Sequence, residues 1–167
     1  MNTSLYTDGG CIGRNPSPLG GTWSWCLVDE TGKLLEHESG IVEPENVGLP
    51  TVTNNLTELL AAIKGLSVMP TNWSGTVYTD SLVTLRRITK SQRFNGIPNW
   101  LRKKTLDLRK NRKWKVVLVG GHPSKTDLIR GKRKKDGMLV SRWNVFCDKE
   151  CNRLARKFKE ILQKSSN

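Results

Sequence analysis

Histidine is scarce in this chain, cysteine little more common, and long apolar runs are missing altogether. Only His37 and His122 occur among 167 residues, alongside Cys11, Cys26, Cys147 and Cys151. No two of these cysteines have CxxC spacing, which excludes a local zinc ribbon or finger. Cys147 and Cys151 stand four residues apart on an amphipathic helical pattern, so the four read as packed, reduced thiols of a reducing compartment. A membrane helix needs roughly 18 or more consecutive apolar residues, and no such run exists. The start, Met1-Asn2-Thr3-Ser4, has neither the basic residues nor the apolar stretch of a secretory signal, so a cytoplasmic location is expected. Repeats and linkers are missing too, and the length suits one domain spanning residues 1–167.

Charge, by contrast, is abundant and unevenly placed. The net charge is +13. Residues 1–85 carry three basic side chains (Arg14, Lys33, Lys64) against nine acidic ones, whereas residues 86–135 carry eighteen basic and two acidic. Such a division implies a polyanion lying across the second half while acidic groups in the first half do other work. A solvated basic face without a partner is the plain alternative.

Hydrophobic periodicity predicts strands at Ser4–Thr7, Thr22–Asp29, Leu34–Val42, Gly75–Thr79 and Lys115–Val119. Helices are expected over Thr53–Met69, Ser81–Lys90, Asn99–Arg109 and Val145–Lys164. Leu56, Leu59, Leu60, Ile63 and Leu66 make the apolar stripe of the first helix, with Asn55 as the expected N-cap and Glu58 three residues later. The order β-β-β-α-β-α-α-β-α implies an α/β fold with a mixed sheet and helices on both faces.

Function in open α/β sheets gathers where strands end. Tyr6-Thr7-Asp8 and Tyr78-Thr79-Asp80 are matching tripeptides, each placing an acid at an expected strand end. Glu58 falls in the expected first turn of the helix between them, and Asp148 in that of the last helix. Carboxylates converging on one point repel one another unless cations intervene, and hard oxygen ligands suit Mg²⁺ or Mn²⁺. Two such ions activate a water and stabilise the leaving oxygen of a phosphodiester. Each acid also has a plain structural reading. Glu58 completes a capping box with Asn55, Asp148 complements a helix N-terminus, Asp8 caps a Gly9-Gly10 turn and Asp80 caps the helix at Ser81.

The residues around these acids resemble the ribonuclease H type 1 family. Tyr6 through Gly13, with Asn15-Pro16, is similar to its first motif, (F/Y)TDG(S/G)xxGNP. Thr53 through Ala62 is similar to its TNNxxELxA, Thr79-Asp80-Ser81 to its TDS, Gly121-His122 to its GH, and Asn144 through Asp148 to its NxxCD. The resemblance implies a five-stranded sheet of order 3-2-1-4-5. It further implies an endonuclease that cleaves RNA in RNA–DNA hybrids with two Mg²⁺ ions (Mn²⁺ as a substitute), leaving 5′-phosphate and 3′-hydroxyl ends. Asp8 would bridge both ions, Asp148 would complete one site, and Glu58 and Asp80 the other. His122 matches the histidine tied to proton transfer or product release. Asn54, Asn55, Asn144 and the backbone of Gly9, Gly10 and Cys11 match groups that read the hybrid, and Asn15 with Thr53 matches a DNA-phosphate pocket. The partner implied is a hybrid duplex bound by a monomer.

Three departures stand out. Arg14 is an extra residue before Asn15. Leu154-Ala155 follows the last acid a turn late, so registering on that pair would put Asn152 where NxxCD puts Asp148; asparagine is the poorer Mg²⁺ ligand. The family's basic handle is short here, while a basic insertion, about 123–143, carries Lys132, Arg133, Lys134 and Lys135 and is expected to clamp the hybrid. A disordered insertion or a targeting tract is the alternative for that loop. A DNA nuclease of resolvase or transposase type and a non-catalytic nucleic-acid module are the rival functions.

Overall fold

The computed structural model describes residues 2–90, 92–122, 126, 129 and 141–167. Lys132, Arg133, Lys134 and Lys135 lie outside the described residues.

Strands β1 (Ser4–Cys11), β2 (Gly21–Val28) and β3 (Leu34–Val42) form an antiparallel meander. Strands β4 (Thr76–Thr79) and β5 (Lys115–Leu118) continue the sheet in parallel on the other side of β1. The order is β3-β2-β1-β4-β5, as the family resemblance implied. Among the described residues the helices are α1 (Pro44–Val47), α2 (Asn54–Ser67), α3 (Leu82–Thr89), α4 (Asn99–Arg109) and α5 (Arg142–Ser165). None of the described helices is long and apolar enough to cross a membrane.

The larger core lies on the α2 face. Leu56, Leu59, Leu60, Ile63 and Leu66 are all buried, and they meet Leu5, Trp25, Val77, Ile88, Leu101 and Trp114. Each buried aliphatic contributes roughly 1.5–3 kcal/mol. The opposite face is thinner: Cys26, Val28 and Cys147 pack with Tyr6, Leu34, Trp143 and Phe146 beneath α5. All four cysteines are free.

Several boundaries differ from the sequence expectation. β1 does not end at Asp8, because its ladder with β2 runs on to the pair Cys11–Gly21. Its parallel partner stops earlier, since β4 ends at Thr79. No turn therefore exists at Gly9-Gly10 for Asp8 to cap. The N-cap of α2 is Thr53, whose hydroxyl accepts from the Leu56 amide, rather than Asn55. A reciprocal pair of bonds between Ser17 and Val52, each 2.8 Å, fixes the chain just before Thr53 and leaves that residue extended. Glu58 consequently sits in the second turn, too deep for a capping box. In the same way α5 begins at Arg142, because Ser141 caps the amides of Trp143 and Asn144. Asp148 is thereby moved beyond the first turn, and Ser81 rather than Asp80 caps α3. None of the four acids keeps its plain structural role.

One close approach sets the geometry. A Cβ at Gly9 would lie 2.5 Å from the Thr57 carbonyl carbon and 2.6 Å from the Glu58 amide nitrogen. Only glycine lets the N-terminal half of α2 press onto β1 there. Gly9→Ala should cost about 1–3 kcal/mol in urea unfolding. Gly10→Ala, whose nearest neighbour is the Thr22 hydroxyl at 3.2 Å, should cost less. Equal losses would show that the α2–β1 approach is not the limiting contact.

Candidate active site

The matching tripeptides meet in register. Tyr6 pairs with Tyr78 across the parallel β1–β4 ladder, and their rings stack at 4.6 Å with 10° between planes. Asp8 and Asp80 lie two residues beyond that pair. Side chains two apart share a face of a strand, so Asp8 lies on the α5 side with Tyr6, while Gly9 lies on the side of α2. Because β4 stops at Thr79 while β1 continues, the sheet has a notch beside Asp8. Glu58 enters this notch from α2, and Asp80 enters it as the chain leaves β4.

Ligand oxygens of Asp8, Glu58 and Asp80 lie within 4.8 Å of one another. Asp8 is 3 % exposed and Glu58 9 %, and Glu58 Oε2 is buried with no hydrogen-bond partner. Burial, then the charge of Asp80, pushes the Asp8 carboxyl well above the usual carboxylate range. Burial, then Asp8 and Asp80, does the same to Glu58. Asp80 is also raised, chiefly by burial. Three crowded carboxyls, one with an orphaned buried oxygen, are the donor set of a hard divalent cation, so the residues fit a divalent metal ion.

Asp148 stands at the rim of this triad, with 29 % of its side chain exposed. It lies near enough for its charge to raise both Asp8 and Asp80. The α5 face that carries it is anchored by Cys147, whose thiol donates to the Tyr6 carbonyl, and Cys151, whose thiol donates to the Asp8 carbonyl. A cavity of about 180 Å³ is lined by Asp80, His122, Asn144, Val145 and Asp148. Asn152 is exposed and does not line this cavity, but it lines the neighbouring groove beside Asp148 and His122.

His122 follows β5 in a left-handed conformation, φ 48°, and its Nδ1 lies 3.8 Å from Asp148 Oδ2. Its ring is 83 % exposed. A Cβ at Gly121 would lie 2.7 Å from Asp80 Oδ2, so a larger residue there would have to displace the Asp80 carboxylate. Asn144 is 2 % exposed, and its Oδ1 has no partner.

A neighbouring groove of about 280 Å³ brings together Gly9, Gly10, Cys11, Asn15, Asn54, His122 and Asp148. The Asn15 side-chain oxygen accepts from the Asn54 amide at 3.2 Å, which leaves its NH₂ as the donor for an anion. The extra Arg14 therefore does not displace Asn15 from this groove, and Arg14 itself lines it. Asn55 is exposed on the first turn of α2, and Thr53 is the cap already described. Gly13 and Cys151, which line the same groove, were not singled out from the sequence as contact residues. The i,i+3 spacing of Asp148 and Cys151 was the available signal.

A model of the RNase H family matches residues 1–156. The chain belongs to that family. Two RNase H relatives illustrate the range of similarity. The ribonuclease H of Syntrophus aciditrophicus is 40% identical over 107 residues, covering 62% of this chain and 55% of that one. The ribonuclease H of Caldanaerobacter subterraneus subsp. tengcongensis is 29% identical over 150 residues, covering 87% and 85%. The match spans about half the length of some curated relatives, 48% for a ribonuclease H of Legionella pneumophila. Among solved structures, LC11-RNase H1 in complex with an RNA/DNA hybrid aligns with a TM-score of 0.60 over 93% of this chain and 98% of that one. At 19% identity this likeness speaks for the fold alone.

The raised carboxyls tie stability to pH. An acid that holds its proton more tightly folded than unfolded favours folding at low pH, and this contribution fades as pH climbs from about 4 through the raised folded value. Without divalent cations, Asp8→Asn and Glu58→Gln should therefore raise Tm near pH 7, by roughly 2–4 °C per kcal/mol of repulsion removed. The gain should shrink as the pH falls toward about 4. Thermal unfolding followed by circular dichroism in EDTA tests this, and lowered Tm in both variants at pH 7 would contradict it.

Proposed function

We propose that this chain is an endonuclease that hydrolyses the RNA strand of RNA–DNA hybrids, leaving 5′-phosphate and 3′-hydroxyl ends. It does so with two divalent cations, Mg²⁺ or Mn²⁺ in its place. The observation that carries this reading is the convergence of Asp8, Glu58 and the half-buried Asp80 within 4.8 Å, with Asp148 at the rim. Membership of the RNase H family supports the choice of substrate, as does the hybrid named for the LC11-RNase H1 complex.

Asp8 would serve both ions, Glu58 and Asp80 one, and Asp148 the other. The chemistry such ions supply when bound is activation of an attacking water and stabilisation of the leaving oxygen. The remaining work falls to the chain's own residues. His122, exposed and facing Asp148, is placed to hand a proton to or from the product. Asn54 lines the groove and Asn55 follows it, exposed, on the first turn of α2; both offer donors and acceptors suited to sensing a 2′-hydroxyl. The backbone of Gly9, Gly10 and Cys11 lines the same groove. Asn15, backed by the Thr53 cap, offers its NH₂ to a phosphate of the DNA strand. Asn144 presents an amide at the wall shared with Asp80 and Asp148. In this reading residues 1–167 act as one catalytic unit, as a monomer inside the cell.

Labelled RNA–DNA hybrid, double-stranded RNA and double-stranded DNA should be compared with Mg²⁺ present. Internal cleavage confined to the RNA of the hybrid is expected, and equal cutting of double-stranded DNA would overturn the reading. Asp8→Asn should abolish cleavage while hybrid binding persists; a variant as active as the parent would remove the metal role. For the basic insertion, neutralising Lys132, Arg133, Lys134 and Lys135 should weaken hybrid binding and flatten its salt dependence, by up to about 3.6 in log–log slope if all four contact phosphates. An unchanged slope would exclude those residues from the interface.

A further inference from the structure

The first turns of α5 carry a second feature that the proposed cleavage chemistry does not use. Arg142, Trp143, Val145, Phe146 and Lys149 line a cavity of about 380 Å³. Val145 also lines the cavity of Asp80, His122, Asn144 and Asp148, so the two hollows share a wall. Trp143 and Phe146 are half-buried and meet edge-on at 5.7 Å, while Arg142 and Lys149 are exposed. The Arg142 guanidinium lies over the Trp143 indole at 4.8 Å, a flat cation on a flat ring. His37 holds Phe146 from β3 by a further edge contact at 5.4 Å.

A hydrophobic anchor for another protein would not need two cations at its rim. A duplex backbone would use the cations but has no use for the rings, because its bases are already stacked inside. Rings beside cations match an unpaired nucleotide, whose base stacks while its phosphates meet Arg142 and Lys149. We propose that this cavity holds an unpaired nucleotide of an RNA strand as it continues past the carboxylates, so that single-stranded RNA flanking a hybrid is gripped beside the site of cutting. Its position relative to cleavage rests on the hybrid-nuclease reading; the stacking chemistry does not.

The test is equilibrium binding by fluorescence anisotropy in the Asp8→Asn background. Three probes are needed: a blunt RNA–DNA hybrid, the same hybrid with a short single-stranded RNA tail at either end, and the tail sequence alone. The tail at one end should tighten binding about fivefold or more over the blunt hybrid. Trp143→Leu, which keeps an apolar side chain over Phe146, should erase that gain and leave blunt-hybrid binding within about twofold. Arg142→Gln combined with Lys149→Gln alters exposed residues only. It should also erase the gain, and should lower the salt slope for the tail alone by about 1.4. No tail gain in the parent, or a gain untouched by both variants, overturns the inference while leaving the hybrid reading intact. If the free tail binds through Trp143 but the parent enzyme cuts no hybrid, the stacking site stands and the nuclease reading falls.

Discussion

Everything in this fold that bears on function depends on holding like charges together where water is scarce. Asp8 and Glu58 are buried, Asp80 is partly so, and burial together with the charge of neighbouring acids raises the proton affinity of each. A sheet whose strands all ended together would not create such a place. Here β1 outruns β4, so β1 keeps its ladder with β2 on one side and opens a notch on the other. Side chains from both faces of the sheet can then reach one point. Gly9 lets α2 approach from one face, and Gly121 clears space for Asp80 as the chain leaves β5. On the other face, the thiols of Cys147 and Cys151 tie α5 to the β1 backbone, which brings Asp148 to the rim.

Much of this was legible before the structure. The matching tripeptides announced two parallel neighbours, and the stacked Tyr6–Tyr78 pair is the physical form of that match. The apolar stripe of α2 was readable because packing against one sheet face demands a helical period. Element ends were less legible, for a definite reason. Thr53, Asn54 and Asn55 are all competent caps, and the choice falls to Thr53 because Ser17 and Val52 pin the chain from a distant loop. No local pattern encodes that pairing. The start of α5 shifted likewise, since Ser141 was not weighed as a cap. The one-turn helix α1 was not expected, although Glu43 and Asn46 form its capping box and Pro44 opens it. The basic insertion stands apart, since Lys132 through Lys135 lie outside the described residues.

The charge division in the sequence has a structural counterpart. Arg87, Arg102 and Arg109 place their guanidiniums within about 6 Å of the Phe94 ring, where α3 and α4 face each other. Arg87 is 4 % exposed, and burial lowers its proton affinity. Among the described residues no carboxylate forms an ion pair with these three. Two of them instead donate to backbone carbonyls, Arg87 to Arg93 and Arg109 to Arg87 and Lys90.

The four acids are not equivalent, and the reason is desolvation rather than identity. Asp8 and Glu58 are buried, Asp80 is partly buried and Asp148 keeps 29 % of its side chain in solvent. A cation entering the triad would relieve both repulsion and the penalty of burying charge. One at the Asp148 side would relieve mainly repulsion, because that carboxylate is already hydrated. Exposure and the nearby His122 ring leave Asp148 adjustable, whereas Asp8 and Glu58 are fixed by a strand and a helix that cannot move apart without opening the core. In the proposed reaction, this sets a desolvated part of the site at Asp8 and Glu58 against a hydrated part where Asp148 faces His122.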